Sequence, residues 1–500
     1  MIRVNNIHLS LDYDDKSVRK AVAQQLRIEE KSIKSCKIFR RSVDARKKDN
    51  IYFLTTVDAE LNINEDKVCK KCGNTQIARK YEYNQMKFGN APSPVIVGAG
   101  PAGLFAALIL ARSGAKPILI ERGRDVDRRT ADVNRFWTSG KLDITSNVQF
   151  GEGGAGTFSD GKLNSGTKDI RQRKVLEEFV SHGAPDEILY NAKPHIGTDM
   201  LKGTIKNIRN EIIELGGRVM FETKLVSMAF SDNKLKSITV ETANGDEIIE
   251  TDNVILAIGH SARDTFEMLY DLKLPIEAKP FSIGARIEHL RQKVDKAQYG
   301  RFAGNKKLGS ANYKLSTHLD NGRGVYTFCM CPGGYVVNAS SEPHRLAVNG
   351  MSYSKRDGQN ANTAVIVTVT PEDFGSSHPL AGVEFQRKLE ENAYREGNGK
   401  VPVQLFGDFC KNIPSQKLGD IIPQIKGMYR LANVRRIFPE IIADSLQEGV
   451  CIFDQKLPGY ARKDAVISGV ESRTSSPVRI IRDDSLQSEI RGIYPCGEGA

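Results

Sequence analysis

The sequence predicts an α/β fold: a doubly wound parallel sheet with a glycine turn, an α+β domain inserted into it, and a small βαββ domain ahead of it. Three observations predict this. A strand, glycine turn, helix, strand and acid follow one another from Pro94; three short strands follow between 222 and 250; and alternating and amphipathic segments fill the first 61 residues. At 500 residues the chain exceeds what one core usually covers. The expected division is 1–61 for a basic βαββ domain, 62–93 for a linker, 94–270 for the first part of the central domain, 271–460 for the inserted domain and 461–500 for the return to the central sheet.

Residues 2–11 alternate apolar and polar as a half-buried strand does, and Val18, Ala21, Val22 and Leu26 share one face of a helix opened by Asp15. The runs Ile33–Val43 and Ile51–Val57, separated by the charged turn Asp44–Asn50, read as a hairpin. Residues 1–90 hold 19 Lys and Arg against 12 Asp and Glu, so seven of the chain's eleven excess positive charges lie there. Arg40, Arg41, Arg46, Lys47 and Lys48 are the densest group; such a patch either meets a polyanion or is a solvated face that blunts strand edges. The polar linker carries Cys69-Lys-Lys-Cys72, half of a zinc-knuckle pattern, but no second Cys-x-x-Cys follows, so no metal is expected.

The central motif is Val95-Ile96-Val97-Gly98-Ala99-Gly100-Pro101-Ala102-Gly103, then an apolar helical run to Ala111, then Ile118-Leu119-Ile120-Glu121-Arg122. Gly98 makes the tight turn, Gly100 lets backbone approach a pyrophosphate, and Gly103 allows close helix-to-strand packing. Amides at the helix start face the phosphate charge. Glu121, 23 residues beyond Gly98, stands where a carboxylate accepts from ribose hydroxyls, which favours FAD or NAD over NADP.

These residues resemble the two-dinucleotide-binding-domain flavoproteins, and within them the FAD-dependent dehydrogenases (oxidoreductases) with an extra N-terminal domain. The resemblance implies a Rossmann-like FAD-binding domain whose β-meander touches adenine; Glu222–Ala229, Lys234–Thr242 and Asp246–Glu250 match that meander, with Val226 on its first strand. Val254-Ile255-Leu256-Ala257-Ile258-Gly259-His260 resembles the strand that ends beside the cofactor, and Gly492-Ile493-Tyr494-Pro495-Cys496-Gly497-Glu498-Gly499 the last flavin motif, with Glu498 replacing its usual Asp. The loop Phe150–Leu163, with Gly151, Gly153, Gly154 and Gly156, is similar to the segment that passes near the isoalloxazine, and Arg128 or Arg129 is a candidate pyrophosphate contact. Relatives begin a final helix at this point, so the natural chain is expected to continue past Ala500.

The expected FAD contacts are therefore Gly98, Ala99, Gly100, Pro101, Ala102, Gly103, Glu121, Arg122, Arg129, Gly153, Gly154, Gly156, Val226, Ala257, Gly259, Gly497 and Glu498. For chemistry, alternation in Tyr326-Thr327-Phe328-Cys329-Met330-Cys331 puts Cys329 and Cys331 on one side of a strand. They read either as reactive thiols or as small buried residues before a turn. His260, with Arg263 and Asp264 behind it, reads as an acid–base group or a structural histidine. Glu471–Pro477 either lines a substrate cleft or connects elements.

Composition bounds the rest. Charged residues make up 27% and hydrophobic residues 40%, and no apolar run approaches the roughly 18 to 20 residues of a membrane span. The N-terminus lacks signal-peptide features, and the eight cysteines (36, 69, 72, 329, 331, 410, 451 and 496) form no framework, so a reducing cytoplasmic setting is expected. Neither a second Gly-x-Gly-x-x-Gly nor a Cys-x4-Cys pair occurs, so NADH or NADPH enters only as a transient reductant. The leading function is an FAD-dependent oxidoreductase passing a hydride between flavin N5 and an unidentified organic substrate or nicotinamide donor. The alternatives are a flavin-bound, RNA-associated or interaction protein acting through the basic N-terminal domain, and an NAD-only dehydrogenase.

Overall fold

The computed structural model describes residues 1–79, 81–87, 93–163 and 169–500, so part of the expected linker lies outside the described residues. The first strand, Ile2–Leu9, buries Ile2, Val4, Ile7 and Leu9. The helix Asp15–Leu26 begins where the Asp14 carboxylate accepts the Ser17 amide at 2.7 Å, and it turns Val18, Val22 and Leu26 onto the sheet. The hairpin strands run Ile33–Asp44 and Tyr52–Leu61.

The unit does not stop at Leu61. Asn64 caps a helix, Glu65–Lys71, that buries Val68, and Thr75–Ile77 pairs antiparallel with the first strand. The domain is thus βαββαβ, with the first strand between Thr75–Ile77 and Tyr52–Leu61, a ferredoxin-like order. A three-residue edge strand is too short to show alternation, which is why the sequence reads this stretch as linker. Cys69 lies in the added helix, and the Cys72 thiol donates to the Leu26 carbonyl at 3.1 Å.

The central sheet is parallel throughout, in the order Ile493–Pro495, Val254–Leu256, Val95–Val97, Ile118–Ile120, Arg218–Met220. Its strands are short and apolar because helices cover them; Val95, Ile96 and Val97 are all buried. The meander follows as Lys224–Ser231, Lys234–Thr242 and Gly245–Glu250. Chain order runs outward from Val95–Val97 on one side and returns on the other, so the switch point lies between that strand and Val254–Leu256.

The inserted domain is a seven-stranded sheet with Phe281–Leu290 at its centre, flanked by Asn360–Val369 and Val466–Glu471. Val466–Glu471 lies beyond the expected boundary at 460, so the return begins only with Val478–Ile480, which pairs with Ile276–Ala278. A fully buried six-residue strand without alternation carries no sign of which sheet it joins. The inserted and N-terminal sheets share one continuous apolar cluster. Arg301 of the inserted domain donates to the Asp49 carbonyl at their junction, and the N-terminal domain also meets the central one, where the Arg41 amide donates to the Tyr190 carbonyl at 2.7 Å and its guanidinium reaches the Asn191 side chain.

Candidate flavin and substrate site

A cavity of about 690 Å³ opens at the carboxyl ends of the central strands, at the switch point, and its far wall is the inserted sheet. On the near wall Gly98 has φ +102°, and a Cβ there would lie 2.4 Å from the Ala257 carbonyl oxygen on the neighbouring strand. Gly103 is packed harder, its absent Cβ 1.9 Å from the Gly98 oxygen. Gly100 differs: a Cβ there meets nothing nearer than Gly154 Cα at 3.9 Å, so its face is open. The helix Pro101–Arg112 makes its first backbone bond from Leu104 to Gly100, and the amides before that point are the free donors of a helix N-terminus.

Glu121 is buried, and its carboxylate accepts the amides of Ala99 at 2.8 Å, Gly123 at 2.9 Å and Gly151 at 3.0 Å. A carboxylate has about four acceptor positions, so one remains. The same side chain thereby pins the glycine loop to the turn. Arg129 also acts on that loop. It does not reach the cavity, as the sequence reading expects; it is fully buried and donates to the carbonyls of Asn147, Val148, Gly151 and Glu152 at 2.6–3.2 Å. Burial without a paired carboxylate pushes its guanidinium down to about 10. Arg128 pairs with Glu222 instead.

Among the other expected contacts, Pro101, Ala102, Arg122, Gly154, Gly156, Ala257, Gly259, Gly497 and Glu498 line the cavity, whereas Ala99, Gly103 and Gly153 lie behind its surface. Val226 is not on the lining either, but Thr223, Lys224 and Leu225 are. Val226 is the extra residue of a bulge between the Leu225–Val240 and Ser227–Thr239 pairs, which takes its backbone out of the ladder. His260 lines the cavity with its Nδ1 on Glu498, joining two strand ends. Arg263 and Asp264 do not: Arg263 is buried against Glu390, and Asp264 pairs with Arg122 and Lys224.

The far wall brings together residues that are distant in sequence. The Asp160 carboxylate accepts from Ser352 at 2.5 Å and Arg356 at 2.6 Å and lies 3.2 Å from Lys162 Nζ. Burial opposes its charge, but Lys162 and Arg356 prevail and hold it well below the usual range. His195, 3.1 Å from Ser352, is pushed down to about 4 by burial and by Arg356. Asn349, Glu471, Arg473, Thr474 and the exposed ring of Phe328 complete the wall; of the 471–477 run, Glu471, Arg473 and Thr474 reach the cavity.

Alternation fails at the two cysteines. Phe328 pairs with Ala364 and Cys331 with Asn362, so three steps on one strand meet two on the other and Cys329 takes φ +45°. Cys329 faces the cavity, and Cys331 is fully buried.

The model of the FAD-binding domain matches residues 93–132, that of the "FAD-dependent protein, C-terminal domain-like" family residues 280–474, and that of a domain of unknown function residues 1–60. A protein of Clostridium beijerinckii (strain ATCC 51743 / NCIMB 8052), described only as uncharacterized, is 48% identical over all of this chain and 94% of its own length. This chain belongs to one family with that protein, and two of its domain models are those of FAD-dependent proteins. Among solved structures, the L-amino acid deaminase from Proteus vulgaris is 12% identical over 83% of this chain and 90% of that one, with a TM-score of 0.31. The Bacillus halodurans glycerol-3-phosphate dehydrogenase complexed with FAD is 11% identical over 61% and 53%, at 0.30. Against the OxyS anhydrotetracycline hydroxylase of Streptomyces rimosus the values are 15%, 58%, 48% and 0.28, so the match spans about half of that chain.

The residues of this flavoprotein fit FAD. The open faces of Gly100 and Gly259, where a Cβ would project into empty space, form the cradle, and Glu121 keeps one acceptor for a ribose hydroxyl. What sequence reasoning missed is the polar far wall. Arg286 was the available signal: a charged residue in the middle of a strand that also carries Glu288 and His289, fully buried and bonded to Glu471 at 2.8 Å.

Proposed function

We propose that the flavoprotein passes a hydride between N5 of its flavin and an organic substrate held against the inserted sheet, with NADH or NADPH as a transient donor. The single observation that carries this is one cavity with a dinucleotide cradle on one wall and a buried array of titratable groups on the other. FAD supplies the two-electron chemistry when bound. The protein's own residues position and exchange protons. Phe328 offers an apolar face to the substrate body, while Asn349, Arg473 and the Asp160–Lys162–Arg356 group orient its polar end. His260, held by Glu498 at the cavity edge, is placed to take or give the proton that accompanies a hydride.

The test is anaerobic. Gently isolated protein is supplied with FAD, and loss of the oxidised flavin band is followed on adding NADH, NADPH or members of an organic substrate panel. Bleaching by one of them supports the proposal; protein that retains no flavin refutes it.

A further inference from the structure

The two cysteines on the far wall have a setting that substrate orientation does not explain. The bulge brings them together: the Cys331 thiol donates back to the Cys329 carbonyl oxygen at 3.3 Å. Two cations hold the segment between them. Lys162 donates to the Met330 carbonyl, and Arg286 reaches the Cys329 carbonyl at 3.0 Å and the Cys331 sulfur at 3.9 Å.

The fold yields space for this. An added Cβ on Gly350 would stand 2.1 Å from Arg286 Nη1, and one on Gly334 2.9 Å from Cys331 Cβ. Cys329 has a positive φ, which non-glycine residues rarely adopt, so its surroundings over-determine it. The cavity-facing residue is the one that bears the strain.

We propose that Cys329 and Cys331 form a redox-active dithiol that exchanges two electrons with the bound flavin. The proposal rests on the FAD reading of the site. The bond changes balance: the Cys331 S–H bond breaks and the Cys329–Cys331 S–S bond forms. Two electrons and the Cys331 proton pass to oxidised FAD, so thiolate, thiol and FAD become disulfide and the singly protonated reduced flavin anion. The reverse direction recharges the dithiol from reduced flavin.

The electrostatics suit the two roles. The neighbouring Cys331 side chain, aided against burial by Lys162 and Arg286, draws the Cys329 thiol well below its usual range, while burial keeps Cys331 protonated. One sulfur is thus the nucleophile facing the cavity and the other the buried proton-carrying partner.

The FAD-loaded protein is isolated in air, then titrated anaerobically with dithionite while samples are alkylated and the peptide spanning both cysteines is weighed. We expect four electrons per flavin, with the peptide blocked as a disulfide at the start and doubly alkylated at the end. Cys331→Ser should bind FAD and take only two electrons, and Cys36→Ser, on the N-terminal sheet, should behave as the parent. Two electrons per flavin in the parent, with both thiols alkylated throughout, overturns the dithiol and leaves the flavin reading standing. Protein that takes up no FAD overturns both. Should Cys331→Ser fail to fold, the parent's peptide mass decides alone.

Discussion

The three glycines of the central turn should fail in three different ways when given a side chain, and the difference separates binding from folding. At Gly98 the backbone is left-handed and an added Cβ would lie 2.4 Å from a neighbouring carbonyl oxygen. The conformation alone costs an alanine about 1–2 kcal/mol and the overlap about 1–3 more. At Gly103 the Cβ would meet the Gly98 oxygen at 1.9 Å, so the helix must lift off the strand. Gly100 has φ −71° and ψ −179°, ordinary extended backbone, and its Cβ clears everything by 3.9 Å. Gly100→Val should therefore leave the unfolding free energy of the FAD-free protein, read from urea titration, within about 0.5 kcal/mol of the parent, the range of surface substitutions. Its methyls occupy the approach to the helix amides, so FAD affinity, read by flavin fluorescence titration, should fall at least tenfold, about 1.4 kcal/mol. Gly98→Ala and Gly103→Ala should lose about 2–5 kcal/mol of stability whether or not FAD is present. A Gly100→Val protein with parental affinity, or a Gly98→Ala protein as stable as the parent, refutes this division of labour.

Three further outcomes follow from buried groups. Arg129→Met should take the Arg129 donor from the Asn147 and Val148 carbonyls, at about 1–3 kcal/mol each when left buried, while Gly151 and Glu152 still accept from the Gly154 amide and the Thr157 hydroxyl, and should expose residues 147–152 to limited proteolysis; parental stability and protease resistance would contradict the clamp. Glu288 is fully buried with one carboxyl oxygen unpartnered, and burial pushes it up to about 7 from 4.5. A raised acid stabilises the fold below the unfolded value and loses that contribution as pH rises through the folded one, so about 3 kcal/mol should disappear between pH 4.5 and 7.5, and Glu288→Gln should flatten that slope in urea midpoints. Glu390→Gln should destabilise by about 3–5 kcal/mol, because it leaves Arg263 and Arg473 buried without their shared carboxylate; an unchanged midpoint would contradict this.

The near wall was legible because its constraints are local. Tight turn, pyrophosphate approach and acid all lie within 24 residues, and the structure places Gly98, Gly100 and Glu121 at one surface. The meander was equally visible because its turns, Ser231-Asp232-Asn233 and Asn244-Gly245, announce themselves. Two kinds of information were not local. A bulge inserts one residue without a sequence mark, so neither Val226's departure from the ladder nor the turn of Cys329 toward the cavity could be read from alternation. Arg129 looked like a phosphate ligand because a cation after the second strand suits an anion; only the fold shows that four backbone carbonyls reach it first.

The far wall assembles Asp160 and Lys162 from the central domain with His195 beyond them, and Glu471 and Arg473 from the strand Val466–Glu471 and the loop after it, with Arg286 buried behind Glu471 in the heart of the inserted sheet. Such a wall functions only if the two domains hold a fixed relation, and the Arg263–Glu390–Arg473 group supplies that. Glu390, on the inserted domain's helix Ala381–Gly397, is fully buried and shared by Arg263 from the central domain at 2.8 Å and Arg473 at the cavity at 2.9 Å. Burial opposes the Glu390 charge, but the two guanidiniums outweigh it and hold the carboxyl well below its usual range. Against apolar residues of the same volume a buried ion group adds little stability; what it adds is geometry, since only one arrangement satisfies every donor. The carboxylate that ties the domains together also fixes Arg473 on the cavity wall, so domain docking and the position of that guanidinium rest on the same atoms.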